Sequence, residues 1–411
     1  MMKYNFDEII DRKHTSCMNT DGFRQYIFHA DETMKFPFAD DEFIRMWIAD
    51  MEFASPDCIT DAIRERLDRK IFGYTRIFGD EYYQAFSSWT RKLYGWTFPR
   101  KDLYTSHGVI PALYELTGYI CRPKDKVLMM TPSYAYFKYA AEHNGVGYVC
   151  SDLCNRKKDG YYEIDFEDFQ RKAEDPAVKL FILCNPHNPS GRIWTEEELR
   201  RIAEICFENH VIIISDEIHC DLIRTGRTHI PLAKLYPDSD QIITCMAPSK
   251  TFNTAGLQFS NIIIPNEDIR KCWHKWHNFD ENPLSLAGAI GAYKGGYDWL
   301  MELRKYLDAN FEFVRGYLAE HLPDAVFRIP DATYLGWVDI GAYVEKGEDL
   351  PLLFAQGAGV LLEGGNMFVQ NSDTYIRLNA ACPRSVLEEG MKRICGLLTK
   401  RRETDGTWDS V

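Results

Sequence analysis

The sequence predicts an α/β protein built on a mostly parallel sheet, and three observations lead there. Short apolar runs rich in β-branched residues recur through the middle of the chain, helical patterns lie between several of them, and a second group of β-rich runs follows a long helical stretch. The first group comprises "KVLMMT" from Lys126, "VGYVCSD" from Val146, "VKLFILCN" from Val178, "HVIIISDE" from His210, "DQIITCMA" from Asp240 and "SNIIIP" from Ser260. Each is apolar at consecutive positions, as a strand covered on both faces must be. The pattern "TEEELRRIAEICFEN" opens with Thr195 as a cap and follows it with acidic residues, which marks a helix N-terminus.

Residues 267–317 read as predominantly helical. After them "AVFRIP", "TYLGWVDI", "GVLLEGG" and "TYIRLN" predict a second, smaller sheet, closed by a final helix over "RSVLEEGMKRICGLLTKR". No repeat, low-complexity tract or long linker interrupts the chain, and the tail "RRETDGTWDS" is expected to fray. A chain of 411 residues buries a sizeable core and divides, by length alone, into about two or three domains.

Composition excludes several function classes. Against 48 basic residues stand 61 acidic ones, a net charge of −13, which argues against a phosphate-backbone partner and so against nucleic acid. The N-terminus "MMKYNFDEIIDRKH" mixes charges where an export signal needs an apolar core, and no apolar run approaches bilayer-spanning length. The 12 cysteines are scattered through apolar segments, the pattern of reduced, buried thiols in a cytoplasmic protein. Cys150 and Cys154 form the closest pair, but no second Cys/His pair with zinc-like spacing follows, and no metal is expected.

Ligands of open α/β sheets collect at the carboxyl ends of strands. At those ends stand "NPHNPSG" after "VKLFILC", "DEIHCDL" after "HVIIIS", "APSK" after "QIITCM", and "HGVIPALYEL" after "DLYTS". Taken singly these are turns and caps. Together they supply an amine in Lys250, a carboxylate in Asp216, an amide in Asn188 and a helix N-terminus at Gly108 able to hold phosphate. One cofactor asks for that combination. Pyridoxal phosphate needs a lysine to join its aldehyde, an acid to keep its ring nitrogen protonated, and a phosphate cradle.

On these residues the sequence resembles the fold-type I pyridoxal phosphate enzymes, and within the aminotransferase class I/II group the cystathionine β-lyase (MalY/PatB-type C–S lyase) branch. The likeness runs from "NFDEIIDR" at Asn5 to "YIRLNAACPR" at Tyr375. It implies a large domain over residues 55–295 with a mostly parallel seven-stranded sheet between helices. Residues 1–54 and 296–411 would form a smaller α+β domain.

By the same resemblance Lys250 is the lysine that bonds the cofactor, Asp216 the partner of the ring nitrogen, and Asn188 the partner of the ring hydroxyl. Tyr134 in "TPSYAYF" would stack on the ring, with His219 beside it. Gly108, the backbone amides of Val109 and Ile110, and Ser249 would hold the phosphate. Tyr74 of "FGYT" would reach the phosphate of the neighbouring subunit, which implies a homodimer with shared sites. Arg377 in "YIRLN" would fork onto the substrate α-carboxylate, with Asn188 and the backbone of Ala49 in "MWIADMEF" lining that end.

Two positions depart from the wider group. Gln258 stands where many aminotransferases keep a phosphate-binding arginine, a loss that agrees with the lyase branch. Where relatives show a "PGxxFG" run, this chain reads "EGGNMFVQ". The resemblance implies β-elimination on L-cysteine S-conjugates such as cystathionine. Transamination on an L-amino acid is the near alternative, since it shares removal of the Cα proton and differs in where that proton returns. A cofactor-binding regulator is the alternative from another class.

Overall fold

The computed structural model describes residues 3–156, 158–277, 280–370 and 372–405. Among them the largest sheet has seven strands: β1 (Leu103–Ser106), β2 (Lys126–Thr131), β3 (Gly147–Asp152), β4 (Val178–Cys184), β5 (Ile212–Asp216), β6 (Ile242–Met246) and β7 (Ser260–Ile263). They lie in the order β1-β7-β6-β5-β4-β2-β3. Only β7 runs against its neighbours; all other pairings are parallel. The six co-directional strands therefore bring their carboxyl ends to one edge.

Side chains alternate across this sheet, and both sets are buried. Val127, Met129, Leu180, Ile182, Ile214 and Ile243 face one core, joined by residues of α1 (Val109–Ile120), α2 (Ala135–His143) and α5 (Glu267–Trp276). Leu128, Met130, Phe181, Leu183, Ile213 and Ile242 face another, joined by α3 (Phe166–Ala173) and α4 (Glu196–Glu208). Two covered faces are why the strands read as unbroken apolar runs rather than alternating ones. Thr195 caps α4 as its sequence predicts. Its hydroxyl accepts from the Glu198 amide at 3.1 Å, while Glu198 accepts the Thr195 amide at 2.8 Å.

Beyond α6 (Pro283–Gly295) and α7 (Tyr297–His321), a smaller sheet joins β8 (Val326–Phe327), β9 (Leu335–Asp339), β10 (Glu363–Gly364) and β11 (Tyr375–Asn379) in the order β8-β9-β11-β10. The helix α8 (Arg384–Asp405) packs behind it. The run "GVLLEGG" does not act as one strand. Val360–Leu361 pairs in parallel with Ile44–Arg45, and the chain crosses over at buried Leu362 before Glu363 joins β11. That crossing draws the N-terminal segment against the sheet: the Asn379 amide donates to Met46 O at 3.0 Å. Of the tail expected to fray, residues 401–405 instead continue α8, and residues 406–410 lie outside the described residues. No helix among the described residues is long and apolar enough to cross a membrane.

Candidate functional site

Lys250 follows β6 in a single helical turn, Pro248–Thr251. Its Nζ donates to the Ala49 carbonyl at 2.7 Å, and the Tyr334 hydroxyl donates to the same carbonyl at 2.8 Å. Asn379 explains why that carbonyl is available. Its Nδ2 takes the flanking carbonyls of Ile48 at 2.7 Å and Asp50 at 2.5 Å, which leaves the one between them turned to the lysine. Burial lowers the affinity of the Lys250 amine for its proton, with Arg377 adding to the effect and Asp50, Glu363 and Asp216 opposing it.

Buried Asp216 closes β5, accepting the Ile218 amide at 3.1 Å, and burial pushes its carboxyl up to about 7. The adjacent Glu217 is held fast away from it, accepting from Ser215 Oγ at 2.9 Å and the Leu232 amide at 3.0 Å, with His229 Nε2 at 2.8 Å. A carboxyl so placed beside an anchored neighbour cannot swing far. Asp221 does similar work for the lysine turn. It accepts Thr251 Oγ1 at 2.8 Å and Trp89 Nε1 at 3.2 Å, and is also bonded by Tyr94.

Arg377, 2% exposed on β11, lies opposite Glu363 of β10 in the sheet register and forms an ion pair with it. Its Nη1 donates to Asn188 Oδ1 at 3.1 Å and its Nη2 to the Trp47 carbonyl at 3.3 Å; the Phe368 ring centroid lies 5.1 Å from the guanidinium carbon. Its Nε is buried without a hydrogen-bond partner. Burial pushes the Glu363 carboxyl above the usual carboxylate range, opposed by Arg377 and Lys250.

His219, also buried, has its ring edge-on to Tyr334 and is pushed down to about 3 by burial, aided by Lys250 and Arg377. It is neutral at neutral pH, and its Nδ1 is buried without a hydrogen-bond partner.

The helix α1 begins after Gly108, at φ 140° and ψ 164°, with no side-chain cap on its first amides. That conformation belongs to glycine, and an uncapped N-terminus at Val109 and Ile110 suits an anion. Ser249 sits in the Lys250 turn. Tyr134 precedes α2 in a two-residue strand paired with Phe368–Val369, and its ring lies 5.1 Å from that of Tyr136. A cavity of about 1230 Å³ opens here, with Tyr26, Tyr134, Tyr136, Glu363 and Phe368 in its wall.

The structure thus gathers Lys250, Asp216, Asn188, Arg377, His219 and Ala49 into one neighbourhood, with Lys250 and Ala49 at its partly exposed side. Tyr74 stays outside it: the side chain is 99% exposed, in a stretch that also exposes Ile71, Phe72 and Phe78. The ion pair of Arg377 with Glu363, Tyr334 on the Ala49 carbonyl, and Asn379 were not singled out from sequence. Asn379 had a signal, since it follows Arg377 by two residues on the same face of a strand.

These residues fit pyridoxal phosphate on chemical grounds. An amine depressed by burial is ready to bond an aldehyde, a carboxyl raised by burial to about 7 stands within reach of that amine, and a glycine-led helix start offers bare amides.

Comparison with known proteins agrees with the geometry. Residues 42–394 match the model of the family "Aminotransferase class I and II". The chain is 40% identical over 361 residues to cystathionine beta-lyase PatB of Bacillus subtilis, covering 86% of this chain and 92% of that protein. Among solved structures it is similar to the PLP-bound C-S lyase of Staphylococcus hominis complexed with L-cycloserine, at a TM-score of 0.93 and 50% identity over 97% of this chain and 98% of the other. It is also similar to cystalysin of Treponema denticola, which contains pyridoxal 5'-phosphate, at a TM-score of 0.90 and 29% identity over 97% and 100%. With so much of the chain matched, through the lysine turn, the β5 end and the arginine strand alike, it belongs to the aminotransferase class I and II family, in the cystathionine β-lyase branch.

Proposed function

We propose that the protein is a pyridoxal 5'-phosphate-dependent carbon–sulfur β-lyase, converting an L-cysteine S-conjugate and water to a thiol, pyruvate and ammonia. The observation that carries this reading is the placement of Lys250, an amine depressed by burial, within electrostatic reach of Asp216 and Arg377, at the sheet edge where strand ends converge. Its likeness to a cystathionine β-lyase supports the lyase over the transaminase, as does Gln258.

In this reading Lys250 would hold the cofactor, Asp216 would partner its ring nitrogen and Asn188 its hydroxyl. Tyr134 and His219 would contact the ring. Gly108, the amides of Val109 and Ile110, and Ser249 would receive the phosphate. When bound, the cofactor supplies an electron sink that acidifies the Cα proton and lets the Cβ–S bond break.

The chain's own groups do the rest. Arg377 grips the substrate α-carboxylate, aided by Asn188 and the Ala49 segment, and so aims the Cα–H bond. The Lys250 amine takes the Cα proton at Nζ; burial keeps that nitrogen neutral more readily than an exposed lysine would be. The thiolate departs with the bonding pair and is protonated, and the released enamine hydrolyses to pyruvate and ammonia.

The same reading makes the protein a cytoplasmic homodimer. The exposed stretch of Ile71, Phe72, Tyr74 and Phe78 suits burial by a second copy, which would bring Tyr74 to the partner's phosphate. The free thiols suit a reducing compartment. Residues 55–295 then form the cofactor domain, and 1–54 with 296–411 the smaller one.

Lys250→Ala tests the assignment. Turnover is expected to fall by at least about 10²–10⁴-fold, the scale of a lost general base, and the cofactor to leave on dialysis against phosphate. Retained turnover contradicts it.

A further inference from the structure

Glu363 lies in the wall of the cavity and against the arginine. We propose that Glu363 determines leaving-group specificity: it favours S-conjugates whose leaving thiol carries a protonated amine and disfavours those whose thiol carries a carboxylate. The inference rests on the lyase reading above and goes beyond it to the substrate's distal end.

Geometry supplies the argument. Glu363 and Arg377 are opposed in register, 5% and 2% exposed, so the guanidinium is charge-matched before any substrate arrives. Once a substrate α-carboxylate takes the same guanidinium, two carboxylates share one cation. Glu363 then stands in the cavity wall with its cation shared. Tyr26, Tyr136 and Phe368 share that wall, on the side a leaving group would occupy in this proposal.

Carboxylates outnumber the lysine in that wall. Asp21 and Asp349 also line the cavity; its lysine, Lys138, is paired with Glu142 at 3.4 Å, and His29 and five tyrosines complete the titratable groups. Aromatic rings beside a carboxylate suit an ammonium twice over, by charge and by their π faces.

Glu363 cannot easily retreat, because the backbone that carries it is wedged. A Cβ on Gly364 would lie 2.7 Å from Pro351 Cδ, and one on Gly365 only 1.5 Å from the Ser372 carbonyl oxygen. Ser372 Oγ clamps the Gly365 carbonyl at 2.8 Å.

The test uses the holoenzyme and three cysteine conjugates of similar length: S-(2-aminoethyl)-, S-propyl- and S-(2-carboxyethyl)-L-cysteine, with pyruvate release giving kcat/KM. The wild type should rank them in that order, with about tenfold between steps, the scale of one unscreened charge in a partly buried site. Glu363→Gln should compress the range to within about threefold, and Glu363→Asp should keep the order. Calorimetric Kd values for L-lysine, L-norleucine and L-2-aminoadipate, which cannot eliminate, should follow the same ranking.

Pyruvate from all three conjugates with no charge order in the wild type overturns this inference alone, as does Glu363→Gln shifting every conjugate by one common factor. No pyruvate from any conjugate overturns the lyase reading, and the inference with it. The wild-type ranking needs no variant, so a Glu363→Gln protein that fails to fold still leaves the decision in hand.

Discussion

Asp216 carries a charge balance that can be measured. Its carboxyl is raised by burial from an ordinary 3.8 to about 7, so the folded protein holds that proton more tightly than the unfolded chain does. Stability from this group is present in full below about pH 4 and is lost as pH rises toward 7. In cofactor-stripped protein, the urea stability of the wild type minus that of Asp216→Asn should fall by a few kcal/mol between those pH values and stay flat above them. A difference that stays constant across the range would contradict the burial of Asp216. Sequence located this carboxylate, together with Lys250, Asn188 and Arg377, because each follows or occupies a strand with a recognisable motif. It could not show that Arg377 already holds Glu363, since that pair depends on how two-residue β10 aligns with β11 across an intervening loop.

At the level of elements, the start of α1 is the most exposed to a single change. Gly108 at φ 140° has room for a Cβ, with Pro111 Cδ at an ordinary 3.5 Å, so the obstacle to a side chain is the backbone conformation itself. Gly108→Ala is expected to cost about 1–3 kcal/mol of stability, the price of a non-glycine residue in that region. It should also speed cofactor loss on dialysis, as the amides at Val109 and Ile110 turn away from the phosphate. Equal stability in thermal melts of the two proteins would contradict the strain argument. The large sheet was legible because buried parallel strands announce themselves as apolar runs, and α4 because Thr195 and Glu198 form a capping box. The short elements were not. Ile44–Arg45, Ser133–Tyr134 and Phe368–Val369 are too brief to carry a period, yet the first anchors the segment that leads to Ala49 and the other two set Tyr134 against Phe368.

For the whole molecule, the pairing of copies is the claim that single-chain geometry leaves to experiment. Tyr74 lies outside the site of its own chain, so under the proposed dimer Lys250→Ala and Tyr74→Ala damage different halves of one shared site. Mixing and refolding the two impaired proteins should restore about a quarter of wild-type turnover, because half of randomly formed symmetric dimers are mixed and each mixed dimer has one intact site. Mixtures no more active than their components would contradict the shared site. Sequence reached Tyr74 through family resemblance alone. No apolar period marks the 71–78 stretch, and only the structure shows its Ile71, Phe72, Tyr74 and Phe78 side chains standing in water.

The central claim is that Lys250, Asp216 and Arg377 serve elimination rather than amino-group transfer. The most direct measurement follows pyruvate and free thiol released by the holoenzyme from L-cystathionine with no keto acid present. The account predicts both products in equal amounts from the first turnovers, with none from Lys250→Ala. Consumption of the amino acid only when a keto acid is added, with no thiol released, would contradict it.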